Sequence, residues 1–149
     1  MIFVTVGSTM PFDSLVKAID EQVAKGVITE PVICQIGNGS YIPKHCEHFR
    51  FKEGIEELIN EASIVITHGG TGTVTSLIKQ HKRFIAVSNA MGADNHQAIF
   101  LSKLASISNI IWTDDPAKVT SLFSESMSTN PSQLVTPSLI ADLKTYIET

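Results

Sequence analysis

Short apolar runs rich in β-branched residues alternate along this chain with longer segments whose apolar residues recur at helical spacing. That alternation restricts the fold more than any other feature. Residues 2–6 (Ile-Phe-Val-Thr-Val) read as a strand that stops at Gly7-Ser8-Thr9. Residues 12–25 then carry Leu15, Val16, Ile19 and Val23 at helical spacing, closed by Gly26. Further strands are expected at 32–36, 48–51, 64–67, 84–87 and 109–112, with a loop at 37–46, where Gly, Asn, Pro and Ser cluster. Helices are expected at 55–61, 73–80, 95–104 and 116–126, the last opened by Pro116 in its first turn. Strand–helix alternation builds βαβ units, so the expected fold is α/β: a Rossmann-like parallel sheet with helices on both faces. Such sheets bind ligands beyond the carboxyl ends of their strands, which singles out the loops at 7–11, 68–73 and 88–96.

Composition narrows the function classes. A hydrophobic fraction of 43% against 17% charged residues supports one packed core in 149 residues. The net charge of −4 and the lack of any long Lys/Arg run remove the electrostatic case for nucleic acid. Cys34 and Cys46 are too few for a disulfide framework and read as reduced cytosolic thiols. No basic leader precedes the first strand, and no stretch approaches the ~18 apolar residues of a membrane span. A soluble chain is therefore expected, with any membrane attachment supplied by a partner.

Chemistry concentrates in Thr67-His68-Gly69-Gly70-Thr71-Gly72-Thr73, between a strand and a helix. Three glycines permit close backbone approach and unusual dihedrals, and Thr71 and Thr73 bring hydroxyls that can cap the helix. The free N–H groups and positive end of the helix suit a diphosphate. The segment is neither a Walker loop nor the dinucleotide fingerprint. A tight turn with a helix cap is the plainer explanation, but the glycines and threonines exceed what a turn needs.

A second cluster, Asp94-Asn95-His96-Gln97, sets four polar side chains at a helix start, suited to sugar hydroxyls that both donate and accept. It reads equally as an N-cap by Asp94 with exposed neighbours. Gly7-Ser8-Thr9 closes the first strand and faces the same crevice if the sheet is parallel. His45, Cys46 and His48 crowd one loop without a second ligand pair at zinc spacing, and read as surface rather than metal site.

Taken in order, Phe3-Val4-Thr5-Val6-Gly7-Ser8-Thr9 with Phe12-Asp13, then His68–Thr73, then Asp94–Gln97 resemble the C-terminal domain of glycosyltransferase family 28. The resemblance covers about the first 110 residues. It is strongest to the family's short stand-alone branch, the catalytic subunits of the dolichol-pathway UDP-N-acetylglucosamine transferase and bacterial relatives in exopolysaccharide synthesis. It implies the donor-binding half of a GT-B glycosyltransferase. Residues 1–127 would form the nucleotide-sugar-binding domain and 128–149 a linker and C-terminal helix. His68, Gly69, Gly70, Thr71, Gly72 and Thr73 would hold the donor diphosphate. Phe51 and Lys52 would lie against uracil, Asn95, His96 and Gln97 would touch the donor sugar, and Gly7, Ser8 and Thr9 would line the cleft. Where family members often carry a Glu that grips the ribose, this chain has Ser76.

The implied activity is an inverting transfer of a hexose or N-acetylhexosamine from a UDP-sugar to a lipid-linked saccharide. It requires a membrane-anchored, acceptor-binding subunit that recruits this chain to the cytoplasmic face of a membrane. No cofactor and no metal is expected, because the helix start can stabilise the leaving diphosphate by itself. The general base is unassigned: His68 is as suited to shaping its loop, and the resemblance puts the base on the partner. The alternative is a non-catalytic nucleotide-sugar-binding or regulatory subunit. An epimerase on the same fold is disfavoured by length. The apolar loop at 89–93, with Met91, suits either a partner surface or a tuck onto its own domain.

Overall fold

Two runs are buried over their whole length, β1 (Ile2–Thr5) and β5 (Phe84–Val87), and β4 (Ile64–His68) is buried except at His68. Strands covered on both faces belong in the middle of a parallel sheet, and that is where they lie. The computed structural model, which describes residues 1–7, 10–90 and 96–128, contains a six-stranded sheet of order β3-β2-β1-β4-β5-β6. Every pairing in it is parallel. The outer strands are β2 (Val32–Gln35), β3 (Glu47–Phe49) and β6 (Ile111–Thr113). Chain direction across the sheet reverses between β1 and β4, the switch point at which such sheets open a crevice.

Alternation with period two divides the sheet between two cores. Cys34, Val4, Ile66, Ile85 and Ile111 stand in register across five strands. They pack with Leu15, Val16 and Ile19 of α1 (Asp13–Ala24) and with Val119. Phe3, Val65 and Phe84 form the opposite row. They meet Ile59 of α2 (Ile55–Glu61), Val74, Leu77 and Ile78 of α3 (Thr71–Lys79), and Phe100, Leu101 and Leu104 of α4 (His96–Ala105). Helices therefore cover both faces, as the α/β reading requires.

Three local expectations are corrected. Residues 116–126 do not form one helix: 3-10 turns at Pro116–Lys118 and Thr120–Leu122 precede α5 (Phe123–Ser128). The tighter turns bring buried Val119 and half-buried Leu122 and Phe123 onto the α1 side, and Ser121 Oγ bonds the Lys118 carbonyl at 2.7 Å, a local alternative to the α-helical ladder. The third strand ends at Phe49, so Phe51 stands beyond it. The helix after the glycines begins at Thr71, two residues earlier than its apolar spacing suggests. Of the linker and C-terminal helix expected at 128–149, Ser128 closes α5 and residues 129–149 lie outside the described residues.

The 37–46 loop is tied down from α1. Asp13 accepts from the Ser40 and Tyr41 amides at 3.0 and 3.2 Å. Asp20, 2% exposed, accepts from Tyr41 Oη (2.6 Å), Lys44 N (3.0 Å) and His45 N (2.7 Å). Burial pushes the Asp20 pKa up, but these donors outweigh it and hold the carboxyl below its usual 3.8. Its contribution is thus full above that value and fades as pH falls through the lower folded one. Arg50 closes the loop through the Gly37 and Gly39 carbonyls at 3.0 and 2.8 Å. Asp20→Ala strands two backbone donors and is expected to lower the unfolding free energy by about 2–4 kcal/mol in a urea titration.

Candidate functional site: the crevice at the sheet's switch point

The strand ends β3, β2, β1 and β4 form a continuous crest. Gly37, at φ +58°, lies so near Gly7 that a Cβ on it would stand 2.9 Å from the Gly7 carbonyl and 4.0 Å from the Phe51 ring. Gly7, at φ +85°, lies against His68: a Cβ there would meet the imidazole at 2.8 Å. Phe51, Gly37, Gly7 and His68 therefore adjoin one another across three strand spacings, about 14 Å. Ser8 and Thr9, expected to line this cleft, lie outside the described residues.

His68 organises the glycine loop. The Gly70 amide donates to its Nδ1 at 3.1 Å, which leaves the ring proton on Nε2, 3.5 Å from Thr73 Oγ1. Burial lowers the His68 pKa below its usual 6.5, so the ring is neutral at pH 7. In this state neither ring nitrogen offers a lone pair to a substrate proton, and the residue acts as a brace. A Cβ on Gly70 would meet the ring at 2.2 Å, and one on Gly69 would meet Leu101 Cδ1 at 2.8 Å.

None of the three loop glycines needs a positive φ, contrary to the expectation of unusual dihedrals. Close packing requires Gly69 and Gly70, whereas a Cβ on Gly72 would meet nothing within 4 Å. Nor does a threonine cap the helix. Gly70 is the N-cap of α3 and makes no side-chain capping hydrogen bond, while Thr75 Oγ1 donates to the Thr71 and Gly72 carbonyls at 2.8 and 3.1 Å. The Thr71, Gly72 and Thr73 amides lack intrahelical acceptors by position and point with the dipole's positive end into the crevice.

The residues expected to touch a donor sugar divide. Asn95 lies outside the described residues, as do Asp94 and Met91. His96 opens α4 and is exposed. Gln97 Oε1 accepts from Gly69 N at 3.0 Å and from Asn89 N at 2.8 Å, clamping the loops after β4 and β5 together. Its oxygen is committed to backbone, which leaves its NH2 group for a ligand. Sequence reasoning missed Asn89: buried at the end of β5, it donates through Nδ2 to the Pro11 carbonyl at 3.0 Å and joins the loops after β1 and β5. A polar pair, Ser88-Asn89, directly after a buried strand was the available signal.

On the other flank Phe51 is 52% exposed, while the Lys52 ammonium lies 5.7 Å from the Phe49 ring centroid. Ser76 is exposed on α3 and accepts from Gln80 Nε2 at 2.9 Å. His45 and Cys46 belong to the loop tether, with Cys46 Sγ 3.7 Å from Asp20.

Residues 1–131 match the glycosyltransferase family 28 C-terminal domain. The chain belongs to that family. A human relative, UDP-N-acetylglucosamine transferase subunit ALG13, is 30% identical over 107 residues, 64% of this chain but only 9% of that protein. MurG from Acinetobacter baumannii superposes with a TM-score of 0.64 at 18% identity, covering 98% of this chain and 49% of that one. The solution structure of an ALG13 gives 0.56 at 19% identity and covers 98% of this chain and 94% of that one. The fold is thus that of one Rossmann-like half of the GT-B glycosyltransferases. Family membership gives the free α3 start its context.

Two outcomes test this geometry. A histidine whose folded pKa is depressed contributes stability that is full above its unfolded pKa, about 6.5, and is lost as pH falls from there toward the folded value. His68→Asn keeps an acceptor for the Gly70 amide without titrating. Its stability relative to the parent is expected to rise as pH drops below about 6.5, measured by urea unfolding across pH. Gly72→Ala is expected to keep or slightly raise the melting temperature while weakening UDP binding about tenfold by obstructing the open amides; Gly70→Ala loses stability first.

Proposed function

We propose that this chain is the sugar-nucleotide-binding, catalytic subunit of a two-component inverting glycosyltransferase. It would transfer a hexose or N-acetylhexosamine from a UDP-sugar to a lipid-linked saccharide, with a membrane-anchored subunit supplying the acceptor half. The observation that carries the proposal is the uncapped start of α3 at the sheet's switch point, held open by His68. The description of the human relative as a UDP-N-acetylglucosamine transferase subunit supports both the donor class and the need for a partner. Among the described residues no helix is long and apolar enough to cross a membrane, in keeping with an anchor carried elsewhere.

In this reading the diphosphate sits on the Thr71, Gly72 and Thr73 amides. Uracil lies toward exposed Phe51 and Lys52, and the donor sugar toward His96, the Gln97 amide and Asn95. An acceptor hydroxyl displaces UDP at the anomeric carbon with inversion. The charge developing on the leaving diphosphate meets preorganised amides and the helix dipole, and the reaction needs no divalent ion for that purpose. Because the neutral His68 ring is already engaged, the base that takes the hydroxyl proton belongs to the partner.

A second reading, a nucleotide-sugar-binding regulatory subunit, draws on Ser76: the ribose meets a single hydroxyl already accepting from Gln80. Turnover separates the two. The catalytic reading expects UDP binding by calorimetry at sub-millimolar affinity, no transfer by this chain alone, and transfer with the membrane subunit that survives EDTA. Robust transfer by this chain alone, or loss with EDTA that manganese restores, contradicts it. A membrane subunit that works equally well without this chain favours regulation.

A further inference from the structure

Beyond the glycine-loop crevice, the described residues line a half-open cavity of about 660 Å³ at the β6 edge of the sheet. Small-molecule sites typically occupy about 300–1,000 Å³. The side of α4 turned away from Gly69 supplies Ile99, Ser102 and Lys103, the end of β6 supplies Trp112 and Asp114, and the end of β5 supplies Ser88. Asn89 forms the partition, and on its other side its amide is tied to Gln97. The cavity stands two strand spacings, about 10 Å, beyond His68.

The lining selects a ligand class. Ile99 is 43% exposed, and Trp112 adds a half-buried aromatic surface, so the wall has a substantial apolar part facing solvent. Beside it stand a carboxylate, two hydroxyls and an ammonium. One cation and one carboxylate in the same wall give no net attraction for a phosphate. Four polar groups make the wall too hydrophilic for an acyl chain. A pyranose has the matching surface: a C–H face that packs on an aromatic ring, and a rim of hydroxyls that each donate and accept. We propose that this cavity is a saccharide-binding site, distinct from the donor crevice, that takes a neutral sugar unit with Trp112 and Ile99 as its platform and Ser102 and Asp114 as its hydrogen-bonding rim. The inference does not depend on where the nucleotide binds.

Trp112 is the chain's single tryptophan, so intrinsic fluorescence reads this cavity directly. The probes are free N-acetylglucosamine, glucose and lactose, titrated into the high-millimolar range with and without UDP. UDP occupancy is followed separately by calorimetry, which keeps failure of the donor reading distinguishable from failure of this one. The expected result is a saturable emission change with at least one probe, retained with UDP present and weakened about tenfold in Ser102→Ala and Asp114→Ala. Both replaced side chains are exposed, and unchanged melting temperatures confirm that the variants fold. No saturable change with any of the three sugars overturns the proposal. So does displacement of the sugar by UDP, which would put it in the donor crevice, and so does indifference to both substitutions.

Discussion

A hydrogen bond from the Gly70 amide to His68 Nδ1 sets the geometry on which the crevice depends. It fixes the imidazole tautomer, seats the ring against Gly7, and turns the chain into α3 with no side chain over the helix start. Glycine is required at 7 and 70 because the ring occupies the space a Cβ would take, whereas at 72 the space is open. One half-buried imidazole ring thus couples the ends of the two strands that flank the switch point. Gln97 performs the matching task on the next pair, with one oxygen accepting from the loops after β4 and β5. The result is a row of backbone donors held in place before any ligand arrives, which is the preorganisation that charge stabilisation needs.

The strands were legible because burial on both faces leaves nearly continuous apolar runs, as in Ile64-Val65-Ile66 and Phe84-Ile85-Ala86-Val87. The parallel α/β fold followed from their alternation with helices, and the match over residues 1–131 agrees with the resemblance carried by the three motifs. What escaped sequence reading depends on contacts between distant residues. Nothing local tells that Gln97 bonds Gly69, 28 positions away, or that Asp20 holds Lys44 and His45. Glycine is ambiguous in the same way: a sequence does not separate a positive φ, as at Gly7, from close packing, as at Gly69. The 116–126 segment misled because Pro116 and the following residues satisfy helix rules locally, while Val119 must reach the core across from α1.

Membership in the family 28 C-terminal domain and the partial coverage of MurG point the same way. The described fold is one half of a two-half architecture, with its crevice open along the crest. The exposed Phe51 flank, the α3 start and the α4 start follow that crest, in the order in which the proposed function sets base, diphosphate and sugar. The β6-edge cavity continues the line past the Asn89 partition, so a sugar held there would lie beside the donor site without competing for it.

The central claim is that the α3 amides receive the donor diphosphate. Amide-resolved NMR during titration with UDP tests it most directly. The account predicts that the largest shifts fall at Thr71, Gly72 and Thr73, with smaller ones at Gly7 and Phe51, and that uridine alone leaves the α3 amides unmoved. Shifts from UDP that bypass residues 71–73, or that uridine reproduces in full, would contradict it.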